Sequence, residues 1–215
     1  MLYLDSADRD VLEPVLQAGL VGGVTTNPKI LHQAGLGQSD QPDLYHWCVD
    51  RGASLVFLQA TGTDEHDLRR SSRSLLGLGD RVRVKLVCTR AGLTVARELA
   101  DEGHDVLVTA VHHPAQGLLA LEVGARYIAP YVGRVADSGG DGVALIRMIR
   151  DQIDRAGEGP RLRILAASLR SLDAVASAAA AGAHDLTIGG EVLHALLEEE
   201  ATAEATTEFE RLALR

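Results

Sequence analysis

The sequence almost lacks lysine. Of its 21 basic residues only Lys29 and Lys85 are lysines, against 19 arginines. Cysteine is as scarce: Cys48 and Cys88 are the whole complement, with no CxxC pair, no disulfide framework and no metal-ligand spacing. Such thiols read as reduced and predict a cytoplasmic protein. No apolar run reaches the roughly 18 residues that a membrane-spanning helix needs. No basic run offsets the net charge of −9, so nucleic acid and anionic membrane surfaces are poor partners. The opening MLYLDSAD enters alternation at once, without a basic region followed by an apolar stretch, which argues against a signal peptide. No GxGxxG follows the first apolar segment. The nearest glycine-rich stretch, DSGGDG at 137–142, matches no P-loop and lacks the closing glutamate of a calcium loop. It reads as a surface turn.

What the chain does have is regular alternation. Its 46% hydrophobic and 24% charged residues suit a soluble globular protein, and 215 residues suffice for one core, so a single domain over 1–215 is expected. Short apolar segments at 2–5, 23–27, 55–59, 81–87, 106–111, 126–132, 163–168 and 185–189 predict strands. Between them, 8–17, 64–76, 91–101, 114–123, 141–156 and 172–181 carry helical period. Several end at glycine (Gly19, Gly103, Gly124, Gly182), and Pro114 suits a first helical turn. Strand and helix alternating eight times predict an α/β fold, a (β/α)8 or TIM barrel. A doubly wound open sheet shares the alternation, but the dinucleotide fingerprint is missing. The polar segment 35–43, with glycine and proline, reads as a loop. Residues 199–215 form a C-terminal helical extension past the eighth unit. Its Phe209, Leu212 and Leu214 make an apolar stripe that either packs on its own barrel or docks on a neighbouring subunit.

Active sites of this fold lie at the C-terminal ends of the strands. The predicted ends carry a ring of polar residues: Asp5; Thr25, Thr26 and Asn27; Gln59; Lys85; Thr109, with His112 and His113 beyond; Tyr131, then Arg134; Ser168, then Arg170; and Thr187. Alternation puts Tyr3 with Asp5, Thr25 with Asn27, Phe57 with Gln59, Leu107 with Thr109 and Ala129 with Tyr131 on common faces, which should point into the barrel mouth. The opposite faces, Leu2/Leu4, Val56/Leu58, Val106/Val108 and Leu165/Ala167, are expected to meet the helices.

Lys85 lies in RVRVKLV (81–87). A strand enclosed by helices outside and by other strands inside meets bulk water on neither face. An ordinary lysine is neutral in only about one molecule in 2,500 at pH 7, and burial raises that fraction by penalising the ammonium. A buried amine attacks carbonyls, which arginine, always protonated, does not do. In a chain so biased to arginine, Lys85 therefore reads as a nucleophile, the alternative being a structural ion pair with Asp5. Asp5 suits proton exchange and Asn27 suits holding a substrate hydroxyl. Gln59, Thr109 and Tyr131 suit positioning a water. Arg134, Ser168 and Arg170 are anion donors placed where barrel phosphate sites are common, the alternative being solvated surface pairing. Arg83, nearer the start of the same strand, is expected to pair with a carboxylate lower in the barrel.

The segments LYLDSAD (2–8), GVTTNPKIL (23–31), VKL (84–86) with TRAGL (89–93), TAV…AQGLLA (109–120), GARYIAPYVGR (124–134) and ILAASLRS (164–171) together resemble the transaldolase family, and most closely its fructose-6-phosphate aldolase branch. The resemblance weakens after residue 190. It implies a class I aldolase that forms a Schiff base on a ketose or on dihydroxyacetone, with no metal and no organic cofactor, and a homo-oligomer of ring-like form such as a decamer. Lys85 is then the nucleophile, Asp5 the acid/base, and Asn27 and Thr25 lie on the substrate side. Arg134, Ser168 and Arg170 resemble the phosphate-binding group. Gln59, Thr109 and Tyr131, with Leu107 and Ala129, are similar to the aldolase branch, where Gln, Thr and Tyr hold the catalytic water. A transaldolase that transfers a dihydroxyacetone unit between sugar phosphates, and a barrel that binds a sugar phosphate without catalysis, are the alternatives. The sequence departs from the family at Val87, where a proline is usual, at Gly189–Gly190, and at His112–His113, of which His113 is read as lining the acceptor pocket. It also departs around FLQATGT. There Leu58 takes the glutamine's place, and Gln59 faces away, unless one residue is deleted.

Overall fold

The computed structural model describes residues 1–157 and 162–214. Eight parallel strands close into a barrel in sequence order: β1 (Leu2–Asp5), β2 (Gly23–Thr25), β3 (Leu55–Gln59), β4 (Val82–Val87), β5 (Val106–Val111), β6 (Tyr127–Pro130), β7 (Arg163–Leu169) and β8 (Asp185–Ile188), with β8 pairing back onto β1. Helix α1 (Arg9–Gln17) follows β1. Helices α2 (Pro28–Gln33) and α3 (Gln41–Asp50) follow β2, joined through a 3-10 turn at Gln38–Asp40. Then come α4 (Glu65–Leu76), α5 (Arg90–Asp101) and α6 (Gln116–Glu122). After β6 lie α7 (Val132–Asp137) and α8 (Gly142–Arg155), followed by α9 (Leu172–Ala180), α10 (Gly190–Leu197) and α11 (Glu200–Ala213). The expected (β/α)8 barrel is the fold.

The helices form where a cap and an apolar stripe coincide. The Thr89 side chain accepts from Gly92 N–H at the start of α5, which buries Val95, Ala96 and Leu99. Asp141 accepts from Val143 and Ala144 N–H, and α8 buries Leu145, Ile146, Ile149 and Ile153. The DSGGDG stretch is thus a turn ending in a helix cap. The expectation of a plain loop over 35–43 is corrected. Residues 38–40 form the 3-10 turn, and Gln41, Pro42 and Asp43 open α3. Proline is tolerated in a first helical turn, where its missing N–H has no acceptor to lose. Pro114 instead stays in the turn before α6, with Gly117 N–H bonded to its carbonyl at 2.9 Å.

Two apolar layers result. Outside the sheet, Leu4, Val24, Val56, Leu58, Val84, Leu86, Val106, Val108, Ile128, Ile164 and Ala166 pack on the helices. Inside the barrel lie Tyr3, Phe57, Leu107, Tyr127, Ala129, Tyr131, Leu165 and Ala167. Leu165 and Ala167 were expected to face the helices, and the structure turns them inward. β7 alternates regularly through Ile164–Ala167, with Ile164 and Ala166 outward, and the register shift between Ala166 and Leu169, where Ser168 adopts φ 61°, brings Ser168 to the mouth directly after inward Ala167, so the faces cannot be counted back from Ser168. A bulge of this kind re-aims the residues that follow it. The same device sits at the end of β5, where Ala110 has φ 58° beside a shift between Val108 and Val111. These are the two non-glycine residues with positive φ among the described residues, and both lie at the strand ends where the mouth opens.

The lower barrel is plugged by aromatic rings. Phe57 is fully buried and meets Tyr3 and Tyr127 edge to face, with centroids 5.2 Å away in both pairs. Phe57→Leu should lower the unfolding free energy by about 1–3 kcal/mol, read by urea titration, because both aromatic contacts and packing are lost. Below, Arg83 pairs with Asp105 at 3.3 Å. The C-terminal helix α11 buries none of its residues, and Phe209, Leu212 and Leu214 are 67%, 50% and 87% exposed. The reading in which this segment packs on its own barrel is overturned.

Candidate active site

A cavity of about 230 Å³ opens at the C-terminal ends of the strands. Lys85 lies in its floor, 5% exposed. Its ammonium donates to the Thr26 carbonyl at 2.6 Å, and it makes no ion pair with a carboxylate among the described residues. That carbonyl is held in place because the Thr26 N–H is itself bonded to the Phe57 carbonyl. Burial holds the Lys85 amine well below the ordinary lysine range, and the charge on Asp5 only partly offsets this. Asp5 answers in the opposite sense: burial raises its carboxyl, against the pull of Lys85, the Thr25 hydrogen bond and Arg134. The two groups thus share one poorly solvated space, each made less willing to carry charge.

Two side chains line up behind Asp5. The Thr25 hydroxyl donates to Asp5 at 2.5 Å and lies 2.7 Å from the Thr187 hydroxyl. Since Thr25 has a single hydroxyl proton, directed at Asp5, Thr187 donates to Thr25. The register of β1, β2 and β8 builds this chain, pairing Asp5 with Thr25 and Tyr3 with Thr187. Asn27 ends the β2 unit with its carbonyl oxygen accepting from Lys29 and Ile30 N–H, at 3.0 and 3.1 Å, as the cap of α2. Its amide nitrogen is left as the donor at the cavity wall.

On the other side, Thr109 donates to the Tyr131 phenol oxygen at 3.2 Å, and both are buried. The Arg134 guanidinium lies over the Tyr131 ring, 4.6 Å from its centroid. Ser168 reaches the cavity from its strained position in the β7 bulge, and Gly133 allows the approach. A Cβ there would stand 2.3 Å from the Ser168 carbonyl and 3.1 Å from its hydroxyl. Arg170 is forked onto Asp137 by two bonds of 2.7 Å, which holds the Asp137 carboxyl below the usual range. Arg170 and Ser168 also line a second cavity, of about 500 Å³, between α7 and α9. An amine nucleophile, a carboxyl that exchanges protons, a phenol–hydroxyl pair and a cationic wall suit carbonyl chemistry on a phosphorylated sugar.

The sequence model described as Transaldolase/Fructose-6-phosphate aldolase matches residues 2–214. The chain belongs to the transaldolase family. Among curated relatives, a protein of Phenylobacterium zucineum named "Probable transaldolase" is 36% identical over 97% of this chain and 94% of its own length. Proteins of the same name from Hydrogenobaculum sp. and Thermoplasma acidophilum are 34% and 31% identical, over 93% and 97% of this chain and 90% and 92% of their own lengths. The chain is accordingly an enzyme of the class I aldolase type, and the reading as a barrel that only binds is set aside.

Against this family background, Asp5, Thr25, Asn27, Lys85, Leu107, Thr109, Ala129, Tyr131, Arg134, Ser168 and Arg170 all line one cavity. Gln59 does not. Its register opposite Lys85 places it on the inward face, with Leu58 turned to the helices, so the expectation that Gln59 faces away is corrected. Yet it lines a neighbouring recess with Ala60, Thr61 and Val87. His113 is a correction. Its Nδ1 accepts from Ala115 N–H at 3.1 Å, which ties it into the turn before α6, and it does not line the cavity. His112 is the nearer one, with its ring edge-on to Tyr131 at 5.4 Å. Sequence reading missed Lys29, Ile30 and Gln33, which line the cavity from α2. The available signal was that Lys29 is the only other lysine. Asp64, His66 and Asp67 are grouped closely enough to hold a cation, but Asp64 is engaged as the cap of α4 and none of the three lines the cavity.

Proposed function

We propose that this enzyme is a Schiff-base aldolase that cleaves or forms a carbon–carbon bond in a ketose phosphate such as fructose 6-phosphate, with a dihydroxyacetone-type donor. The observation that carries the reading is Lys85, a buried lysine with no carboxylate ion pair among the described residues, opening into a cavity with Asp5. Lys85 adds to the ketone and water is lost, giving an iminium. The C3–C4 bond then breaks, its electron pair entering the iminium to give an enamine, while the C4 hydroxyl proton passes to Asp5. Protonation at C3 and hydrolysis release the donor and restore the amine. Asn27 holds a donor hydroxyl. Thr109 and Tyr131 position the hydrolytic water and assist proton transfer, and Gln59 acts only if it swings over from its recess. Arg134, Ser168 and Arg170 take the phosphate, for which Arg170 exchanges Asp137 for the ligand.

The reading extends to a cytoplasmic enzyme of carbohydrate metabolism, in the chemistry of the pentose phosphates, working as a ring-like homo-oligomer. The exposed apolar residues of α11 suit docking on a second copy. The name shared by the relatives favours a second reading, transfer of the dihydroxyacetone unit to an aldose phosphate instead of its release. Borohydride reduction with fructose 6-phosphate or dihydroxyacetone should leave a covalent adduct that maps to Lys85. Its absence in folded protein would sink the mechanism, and transfer to erythrose 4-phosphate without release of dihydroxyacetone would favour the second reading. Arg134→Ala should raise the KM for fructose 6-phosphate about tenfold with a smaller effect on kcat, read by steady-state kinetics, because it removes a charge-assisted bond made in the ground state as well.

A further inference from the structure

Both lysines of the chain line the same cavity. Lys85 lies at its floor, while Lys29 stands exposed at its rim in α2. The Lys29 side chain makes no hydrogen bond or ion pair among the described residues. Across the mouth, Arg134 stacks on Tyr131 and also lacks a carboxylate partner among the described residues. Lys29 follows β2 and Arg134 follows β6, four strands apart in a closed ring of eight, so the two cations face each other across the mouth. Lys85, on β4, comes from midway between them. Among the described residues the cavity carries one carboxylate, Asp5, which is engaged with Thr25. A ketone bound at Lys85 with one end toward Arg134 must therefore point its other end toward Asn27 and Lys29.

We propose that Lys29 favours a donor bearing a phosphate ester beside the ketone, so that a ketose phosphorylated at both ends is taken in preference to one phosphorylated only at the far end, such as fructose 6-phosphate. This rests on the Schiff-base reading above. Two anions then meet two cations that form no ion pair among the described residues. Lys29 sits at the rim, not beside Lys85, which favours a group extended on an ester oxygen over a carboxylate bonded directly to the carbonyl carbon. The chemistry is unchanged and balanced. Lys85 and the ketone lose one water, and the C3–C4 bond breaks to the enamine. The C4 hydroxyl loses its proton and leaves as the aldehyde that carries the far phosphate. One proton at C3 and one water at the iminium carbon then release dihydroxyacetone phosphate. No oxidant or reductant takes part.

The test is borohydride trapping on wild-type protein, Lys29→Ser and Lys29→Arg, with dihydroxyacetone, dihydroxyacetone phosphate and hydroxypyruvate as donors, the adduct at Lys85 being quantified by mass. In wild type the phosphorylated donor should half-saturate at a concentration about tenfold or more below that of dihydroxyacetone. Lys29→Ser should bring the ratio of the two concentrations close to one, and Lys29→Arg should keep most of it. A ratio near one in wild type overturns the inference. So does a Lys29→Ser effect equal on both donors, as a structural role would give, or a preference for hydroxypyruvate. All three of these outcomes leave the Schiff-base reading standing. No adduct with any donor in wild type defeats that reading and the inference together.

Discussion

Lys85→Met is expected to abolish the borohydride adduct and to lower turnover by roughly 10⁴-fold or more, since no neighbouring group replaces the amine. The same change should make the protein more stable at neutral pH. Burial lowers the Lys85 pKa below its ordinary value of 10.5. Between the folded value and 10.5 the unfolded chain binds more protons than the folded one, so stability rises as pH rises through that window. At neutral pH an ammonium held in the barrel is a cost that methionine, of similar length and apolar, removes. We expect a gain of about 1–3 kcal/mol, read as a raised Tm at pH 7 and a flatter stability profile toward pH 10. A variant that is inactive and also less stable would contradict the buried-amine account. In the wild type, the rate of adduct formation should climb with pH through a pKa below 10.5, as the amine loses its proton.

Asp5→Asn should cost about 10²–10⁴-fold in turnover with little change in KM, because it removes a proton carrier without changing shape. Asn keeps an acceptor for the Thr25 hydroxyl, so the Thr187–Thr25 chain survives. The charge of Asp5 is what raises the Lys85 pKa against burial. In Asp5→Asn that support is gone, and the acid limb of adduct formation should move to lower pH. Kinetics across pH separate this from simple damage to the site, which would lower the rate without moving the limb.

The strands were legible because each is a short β-branched or apolar segment between turn residues, and β3 and β5 keep the predicted bounds, 55–59 and 106–111. Where predicted strands ran long, a local cause intervened. Asn27 turns out of β2 to cap α2, and β6 stops at Pro130, which has no N–H for the ladder. Asp5, Lys85 and Tyr131 could be named as site residues because the fold puts strand ends in one place. The faces of β7 could not. Alternation is a local rule, and the bulge at Ser168 breaks it, so that Ser168 reaches the mouth directly after inward Ala167 and the faces of Leu165 and Ala167 cannot be counted back from it. For the same kind of reason His113 was preferred to His112. Ala115 N–H captures the His113 ring at Nδ1, while the Gln116 side chain accepts from the backbone N–H of both histidines, and this arrangement of the turn before α6 is set in three dimensions.

By itself the sequence determined the alternation of elements, the family, and a lysine on a strand with no water-facing side, because these follow from period, composition and residue chemistry along the chain. The tertiary structure alone decided that Lys85 has the Thr26 carbonyl as its hydrogen-bond partner, that Gln59 stands in register with Lys85 yet in another recess, and that Lys29 and Arg134 line the mouth from opposite sides of the ring. Those relations join residues tens of positions apart, and only closure of the barrel, with its register and bulges, sets their distances.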